Sequence, residues 1–85
     1  MSSSEIAHQA ASGISTYERG QLSCFDLSVL IERCGEELRL FDTASGTRLK
    51  GLAMRLAASE FVPSESSADL LREIKTHLSS LDGHA

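Results

Sequence analysis

The chain has 85 residues, of which 41% are hydrophobic and 24% are charged, and this composition is typical of a globular protein. A chain of this length forms one domain with a thin core, which excludes two-lobed enzymes, large cofactor-binding folds and long repeat arrays. Eight basic residues against 12 acidic residues give a formal net charge of −4, so nucleic acid is a poor partner and a basic protein is a better electrostatic match.

The first predicted helix covers about residues 4–19. Its apolar residues recur at spacings of four, four and three, and therefore share one helix face. They are Ile6, Ala10, Ile14 and Tyr17. One of the serines at positions 2–4 is the expected N-cap, and Gly20 stands where a left-handed C-cap residue belongs. Gly13 weakens this helix by up to about 1 kcal/mol relative to alanine.

The second predicted helix, about residues 24–42, has the clearest start signal. Ser23 and Asp26 stand at the N-cap and N3 positions of an acidic capping box. Leu22 and Leu27 stand at the two positions of a hydrophobic staple. From there, apolar residues at alternating spacings of four and three form one continuous stripe. They are Leu27, Ile31, Cys34, Leu38 and Phe41.

Residues 38–50 also fit a second interpretation. Two short apolar strands joined by a turn at residues 43–46 would form a β-hairpin. A lone two-stranded ribbon is only marginally stable, and the apolar stripe continues unbroken through Leu38 and Phe41, so the sequence favours a helix. It leaves open whether Gly35 kinks that helix.

Two further helices are predicted at about residues 46–60 and 67–81. The third buries Leu49, Leu52, Ala53 and Leu56. The fourth starts at Ser66 as N-cap with Asp69 at N3, and it buries Leu70, Leu71, Ile74, Leu78 and Leu81. Four amphipathic helices with short connections predict an all-α fold, a small antiparallel four-helix bundle in which residues 1–85 form a single domain.

Charge is unevenly distributed along the chain. Residues 1–42 hold seven acidic and three basic residues, residues 43–58 hold three basic residues and no acidic one, and residues 59–85 hold five acidic and two basic residues. We interpret the basic stretch as a face attracted to the acidic faces within the fold. The acidic ends of the chain form a candidate interaction surface.

No pattern in the sequence indicates catalysis, a metal or a cofactor. Cys24 and Cys34 fit no metal or redox spacing, and on one helix they would lie about 15 Å apart, beyond the ~7 Å limit for a disulfide. The histidines are scattered, and Glu73 with His77 is better explained as a surface pair than as a metal site. Reduced thiols, no signal peptide and no membrane-spanning run predict a soluble, cytoplasmic protein.

Two short segments carry a resemblance. Residues 17–27, Tyr-Glu-Arg-Gly-Gln-Leu-Ser-Cys-Phe-Asp-Leu, and residues 57–65, Ala-Ala-Ser-Glu-Phe-Val-Pro-Ser-Glu, are similar to immunity proteins of the colicin D type. The length and the order of four helices agree as well. The resemblance implies a non-catalytic inhibitor, monomeric before complex formation, that blocks the basic substrate cleft of a cognate tRNA-cleaving toxin with acidic side chains.

The resemblance also implies where the acidic surface lies. Phe61 and Pro63 match the family's pattern, but the two acidic positions of that pattern fall on Ser59 and Ser64. The nearest carboxylates belong to Glu60 and Glu65, each displaced by one residue. The predicted partner-binding residues are therefore Ser59, Glu60, Phe61, Ser64 and Glu65.

Two other functions are compatible with the sequence. A small helical secretion chaperone or regulator would bind a partner helix in an apolar groove, and would show as a dimer or as an exposed apolar patch above ~400 Å². A nucleic-acid-binding regulator would depend on Arg48, Lys50 and Arg55, the only basic cluster.

Overall fold

A computed structural model describes residues 2–59, 61 and 66–82 of the chain. All of the regular secondary structure in this part of the chain is α-helical, and the helices are α1 (Ser3–Glu18), α2 (Cys24–Leu38), α3 (Thr43–Ala58) and α4 (Ser67–Asp82). The α1 and α3 helices each pack against both α2 and α4. The predicted all-α four-helix fold is confirmed.

The helix starts follow from local capping chemistry. In three of the helices, the N-cap serine hydroxyl accepts a hydrogen bond from the backbone N–H three residues later. These bonds join Ser2 to Glu5 at 3.2 Å, Ser23 to Asp26 at 3.0 Å and Ser66 to Asp69 at 3.4 Å. Gly20 has a φ of 76°, a left-handed conformation that favours glycine, so its predicted place after the end of α1 is confirmed.

The connection between α2 and α3 differs from the prediction. The α2 helix ends at Leu38 rather than near residue 42, and α3 begins at Thr43 rather than near residue 46. The cause is Asp42, whose carboxylate accepts hydrogen bonds from the backbone N–H and the hydroxyl of Ser45, at 3.1 and 3.0 Å, and so caps α3.

Phe41 therefore lies in the turn and is 56% exposed, so its predicted place on the buried stripe is wrong. The β-hairpin alternative is wrong as well, because α3 covers residues 43–50.

The core consists of the apolar faces that the helical spacings predict. The largest fully buried side chains come from all four helices and are Ile6, Ile14, Leu27, Ile31, Leu38, Leu49, Leu56 and Ile74. Tyr17 and Leu81, at the ends of the predicted faces, are partly buried against this core. Both cysteines are buried, and neither is in a disulfide bond.

The α2 and α3 helices approach each other closely at Gly35 and Gly46. A Cβ atom placed on Gly46 would lie 2.5 Å from the backbone N of Arg39 and 2.6 Å from the carbonyl O of Gly35. A Cβ atom on Gly35 would lie 3.0 Å from the carbonyl O of Gly46. The α2 helix continues through Gly35. The absence of a side chain at this position lets the α3 backbone pack closely against it. Cys24 Sγ donates to the Leu56 carbonyl at 3.7 Å, so α2 and α3 run in opposite directions.

Asp42 makes the stability of the fold depend on pH. Its pKa is lowered from 3.8, first by the hydrogen bond from the backbone N–H of Ser45 and then by that from the Ser45 hydroxyl, with a smaller effect from the charge of His77. Because the folded pKa lies below the unfolded one, the ionised carboxylate stabilises the fold above the unfolded pKa. That stabilisation is lost as the pH falls through the folded pKa.

We therefore expect the melting temperature of the wild-type protein to fall more steeply below about pH 4 than that of the Asp42→Asn variant. Asparagine caps a helix about as well as aspartate but does not titrate, so the variant retains the cap and loses the pH dependence. Thermal melts followed by circular dichroism over a pH series measure the difference. Parallel curves for the two proteins would contradict this account of the α3 cap.

Candidate functional site

The predicted partner-binding residues lie in the connection between α3 and α4. Glu60, Ser64 and Glu65 are outside the described residues. Ser59 is the C-cap of α3, and its hydroxyl donates a hydrogen bond to the Leu56 carbonyl at 2.6 Å. Phe61 is 81% exposed, so its ring is open to a partner. The predicted grouping of these five residues stays a prediction.

The acidic residues of the N-terminal half are all exposed. They are Glu5, Glu18, Asp26, Glu32, Glu36, Glu37 and Asp42. Three of them have roles within the fold, because Glu18 pairs with Lys75 at 2.9 Å, Glu36 pairs with Lys50, and Asp42 caps α3. The other four form no ion pair with any residue that the structure describes, and three of them lie on α2.

The basic stretch of the chain is largely neutralised by acidic residues on neighbouring helices. Lys50 on α3 pairs with Glu36 on α2, and Arg55 on α3 lies 3.8 Å from Glu73 on α4. The interpretation of this stretch as a face attracted to other faces of the fold is confirmed at these two residues. A nucleic-acid-binding surface would use Lys50 and Arg55 together with Arg48, and that alternative stays a prediction.

One face of α2 presents apolar and acidic side chains together. Phe25, Val29, Glu32 and Glu36 recur at spacings of four, three and four, and all of them are exposed. Phe25 is 65% exposed and Val29 is 39% exposed. We call these four residues the α2 outer stripe. It lies opposite the buried stripe from Leu27 to Leu38, because the two sets are about half a helical turn apart.

Sequence reasoning did not find the α2 outer stripe. The buried stripe is longer and more apolar, and it accounts for the amphipathic character of this helix without Phe25 or Val29. The available signal is the spacing of four between these two apolar residues, combined with their position off the buried face. A large aromatic side chain that stays in water is the kind of residue that protein interfaces use as an anchor.

The thiol of Cys34 is buried, and its surroundings keep it unreactive. The pKa of Cys34 is raised to about 11, mainly by burial and also by the charge of Glu37, against a lowering effect of Arg33, so the thiol stays protonated at neutral pH.

His77 Nε2 lies 3.2 Å from the Ser45 carbonyl, and Glu73 pairs with Arg55. Glu73 and His77 therefore each contact α3 instead of forming the predicted pair. Among the described residues, no three histidine, cysteine or carboxylate side chains converge as metal ligands.

Within the described ranges, none of the helices combines the length and the apolar composition needed to cross a lipid bilayer. Comparison of the chain with protein-family models, with curated proteins and with solved structures finds no match.

Proposed function

We propose that this protein is a non-catalytic binding protein that holds a basic protein partner against an acidic helical surface, as an immunity protein holds a nuclease toxin. The observation that carries the proposal is the α2 outer stripe, where exposed Phe25 and Val29 lie on one face with the carboxylate of Glu32. The Glu36 carboxylate lies on the same face and is exposed, although it also pairs with Lys50. An apolar anchor beside carboxylates suits a partner whose own surface combines apolar contacts with lysine or arginine.

The charge of α2 supports the same partner class. This helix carries four acidic residues and one basic residue, Arg33, and all four carboxylates are exposed. A nuclease cleft is basic because it binds phosphates, so exposed carboxylates attract it over a distance of about 8 Å at physiological salt. Occlusion of the cleft is sufficient for inhibition, and no catalytic residue is needed for it.

The connection between α3 and α4 supplies a second element of the proposed surface. Phe61 is exposed, and in the sequence it is flanked by Glu60 and followed closely by Glu65. Interface energy commonly concentrates on an aromatic residue, with charged side chains around it that steer the partner. We assign the phosphate-mimicking role to Glu60 and Glu65, and the anchoring role to Phe61.

Neutralising both carboxylates in the Glu60→Gln/Glu65→Gln variant is expected to weaken partner binding at least tenfold, because two attractive charges are lost from the interface. Immobilised wild-type protein is exposed to an extract of its native cells, and the retained protein is identified and returned to both forms for a titration. We expect a partner with net positive charge, whose binding weakens as salt increases and whose tRNA-cleaving activity stops at equimolar wild-type protein.

The matched control is the Glu18→Gln/Glu73→Gln variant. It removes the same charge from two exposed ion pairs, which contribute little to stability. If both double variants lose the same affinity, net charge alone explains binding and the assignment to Glu60 and Glu65 is wrong. Retention of nucleic acid in place of a basic protein would overturn the proposed function itself.

A further inference from the structure

An open groove of about 800 Å³ lies between α1 and α2. Its apolar residues are Gly13, Leu22, Val29, Leu30 and Cys34. A Cβ atom on Gly13 would lie 2.8 Å from Cδ2 of Leu30, so the absence of a side chain at position 13 lets Leu30 pack against the α1 backbone. Leu22 and Leu30 are only partly buried there. We call this concavity the α1–α2 groove.

The charges of the α1–α2 groove follow a simple order along α2. Asp26 and Glu37 are exposed, line the groove, and form no ion pair within the described part of the chain. They are eleven residues apart in the sequence, which is three helical turns or about 16 Å, so both lie on the same side of α2. Arg33 lines the groove between them, and the α1 side contributes the polar residues His8, Gln9, Ser12 and Thr16.

We infer that the α1–α2 groove binds a basic amphipathic helix of a partner protein. The apolar stripe of that helix would pack on Val29 and Leu30, as in other complexes in which a helix occupies a groove. Lysine or arginine residues about three turns apart would face Asp26 and Glu37. A residue without positive charge would face Arg33. The inference rests on the proposed function only in that the partner is a basic protein.

The charges also argue against other occupants. A second copy of this chain would bring its own acidic α2 against the carboxylates of Asp26 and Glu37, and like charges at an interface are unfavourable. Within the chain, the basic residues Lys50 and Arg55 of α3 are already in ion pairs. An anionic lipid surface would be repelled by the same carboxylates. A basic helix from another protein is the occupant that satisfies both the apolar and the acidic residues of the groove.

The test uses the full chain labelled with ¹⁵N and a synthetic peptide probe of about 14 residues, with leucines on one face and lysines beside them. A second peptide carries glutamate in place of every lysine. We expect the lysine peptide to shift the amide signals of Gly13, Leu30 and Arg33 most strongly, and to bind at least tenfold more tightly than the glutamate peptide. Signals that move mainly on α3 and α4, or equal binding of the two peptides, would overturn the inference.

Variants separate a specific groove from a general charge effect. Asp26→Asn/Glu37→Gln is expected to weaken binding of the lysine peptide about tenfold, whereas the Glu18→Gln/Glu73→Gln control stays within about twofold of wild type. Equal weakening by the two would mean that net charge alone attracts the peptide. Because Asp26 lies in the first turn of α2, a thermal melt accompanies each variant. Val29→Lys provides an independent test, since it places a repelling charge on an exposed groove residue.

Partner capture and peptide binding test the proposed function and the groove inference separately. Glu60→Gln/Glu65→Gln is expected to bind the lysine peptide within about twofold of wild type, because the described residues that line the groove belong to α1, α2 and the connection between them. A loss of partner capture in that variant with unchanged peptide binding supports both proposals. Peptide binding that depends on Glu60 and Glu65 would show that the groove is not the docking site.

Discussion

Replacing Gly46 with alanine is expected to destabilise the fold by about 3 kcal/mol. The new Cβ atom would lie 2.5 Å from the backbone N of Arg39 and 2.6 Å from the carbonyl O of Gly35. Both are backbone atoms, so no rotamer change can relieve the contact and α2 and α3 must move apart. The higher helix propensity of alanine offsets only up to about 1 kcal/mol of this cost.

Gly51→Ala is the matched control, because Gly51 lies in the same helix and a Cβ atom there meets nothing within 4 Å. We expect this variant to be more stable than wild type by up to about 1 kcal/mol. Urea denaturation followed by circular dichroism gives the free energy of unfolding of both variants. For a domain of this size each kcal/mol corresponds to about 4–8 °C in Tm. Similar stability of the two variants would mean that the α2–α3 contact is looser than described.

The close packing at Gly35 and Gly46 could not be predicted from the sequence. In the sequence, Gly35 looks like a candidate kink and Gly46 stands at the start of the third predicted helix. Their role depends on the backbone of another helix lying within contact distance, which no local pattern records. The capping serines are different, because each one bonds to a backbone N–H three residues away and is therefore readable from the sequence.

The candidate site, too, can be predicted from the sequence only in part. The negative charge of α2 and the exposed aromatic residue at position 61 follow from composition and local sequence. The α1–α2 groove does not, because it needs Gly13 of one helix and Leu30 of the next to lie side by side. The ion pair of Lys50 with Glu36 is likewise a product of the α2–α3 packing, although the opposite charges of the two segments suggested that the segments attract each other.

The sequence places Leu38 and Phe41 on one apolar stripe, but the structure separates them. Leu38 is fully buried at the end of α2, whereas Phe41 is 56% exposed in the turn. We expect Leu38→Ala to cost about 2–5 kcal/mol, since it removes buried methyl groups and leaves a cavity. Phe41→Ala is expected to cost less than about 1 kcal/mol.

The same comparison decides where α2 ends. If the helix continued to residue 42, Phe41 would occupy the core and its truncation to alanine would cost about 3–5 kcal/mol. Urea denaturation of the two variants therefore distinguishes the two arrangements by more than its own uncertainty, which is about 10–15% of the extrapolated free energy. A large loss for Leu38→Ala with a small one for Phe41→Ala fits a cap at Asp42 that stops the stripe. Losses of equal size would require the helix to continue through the turn.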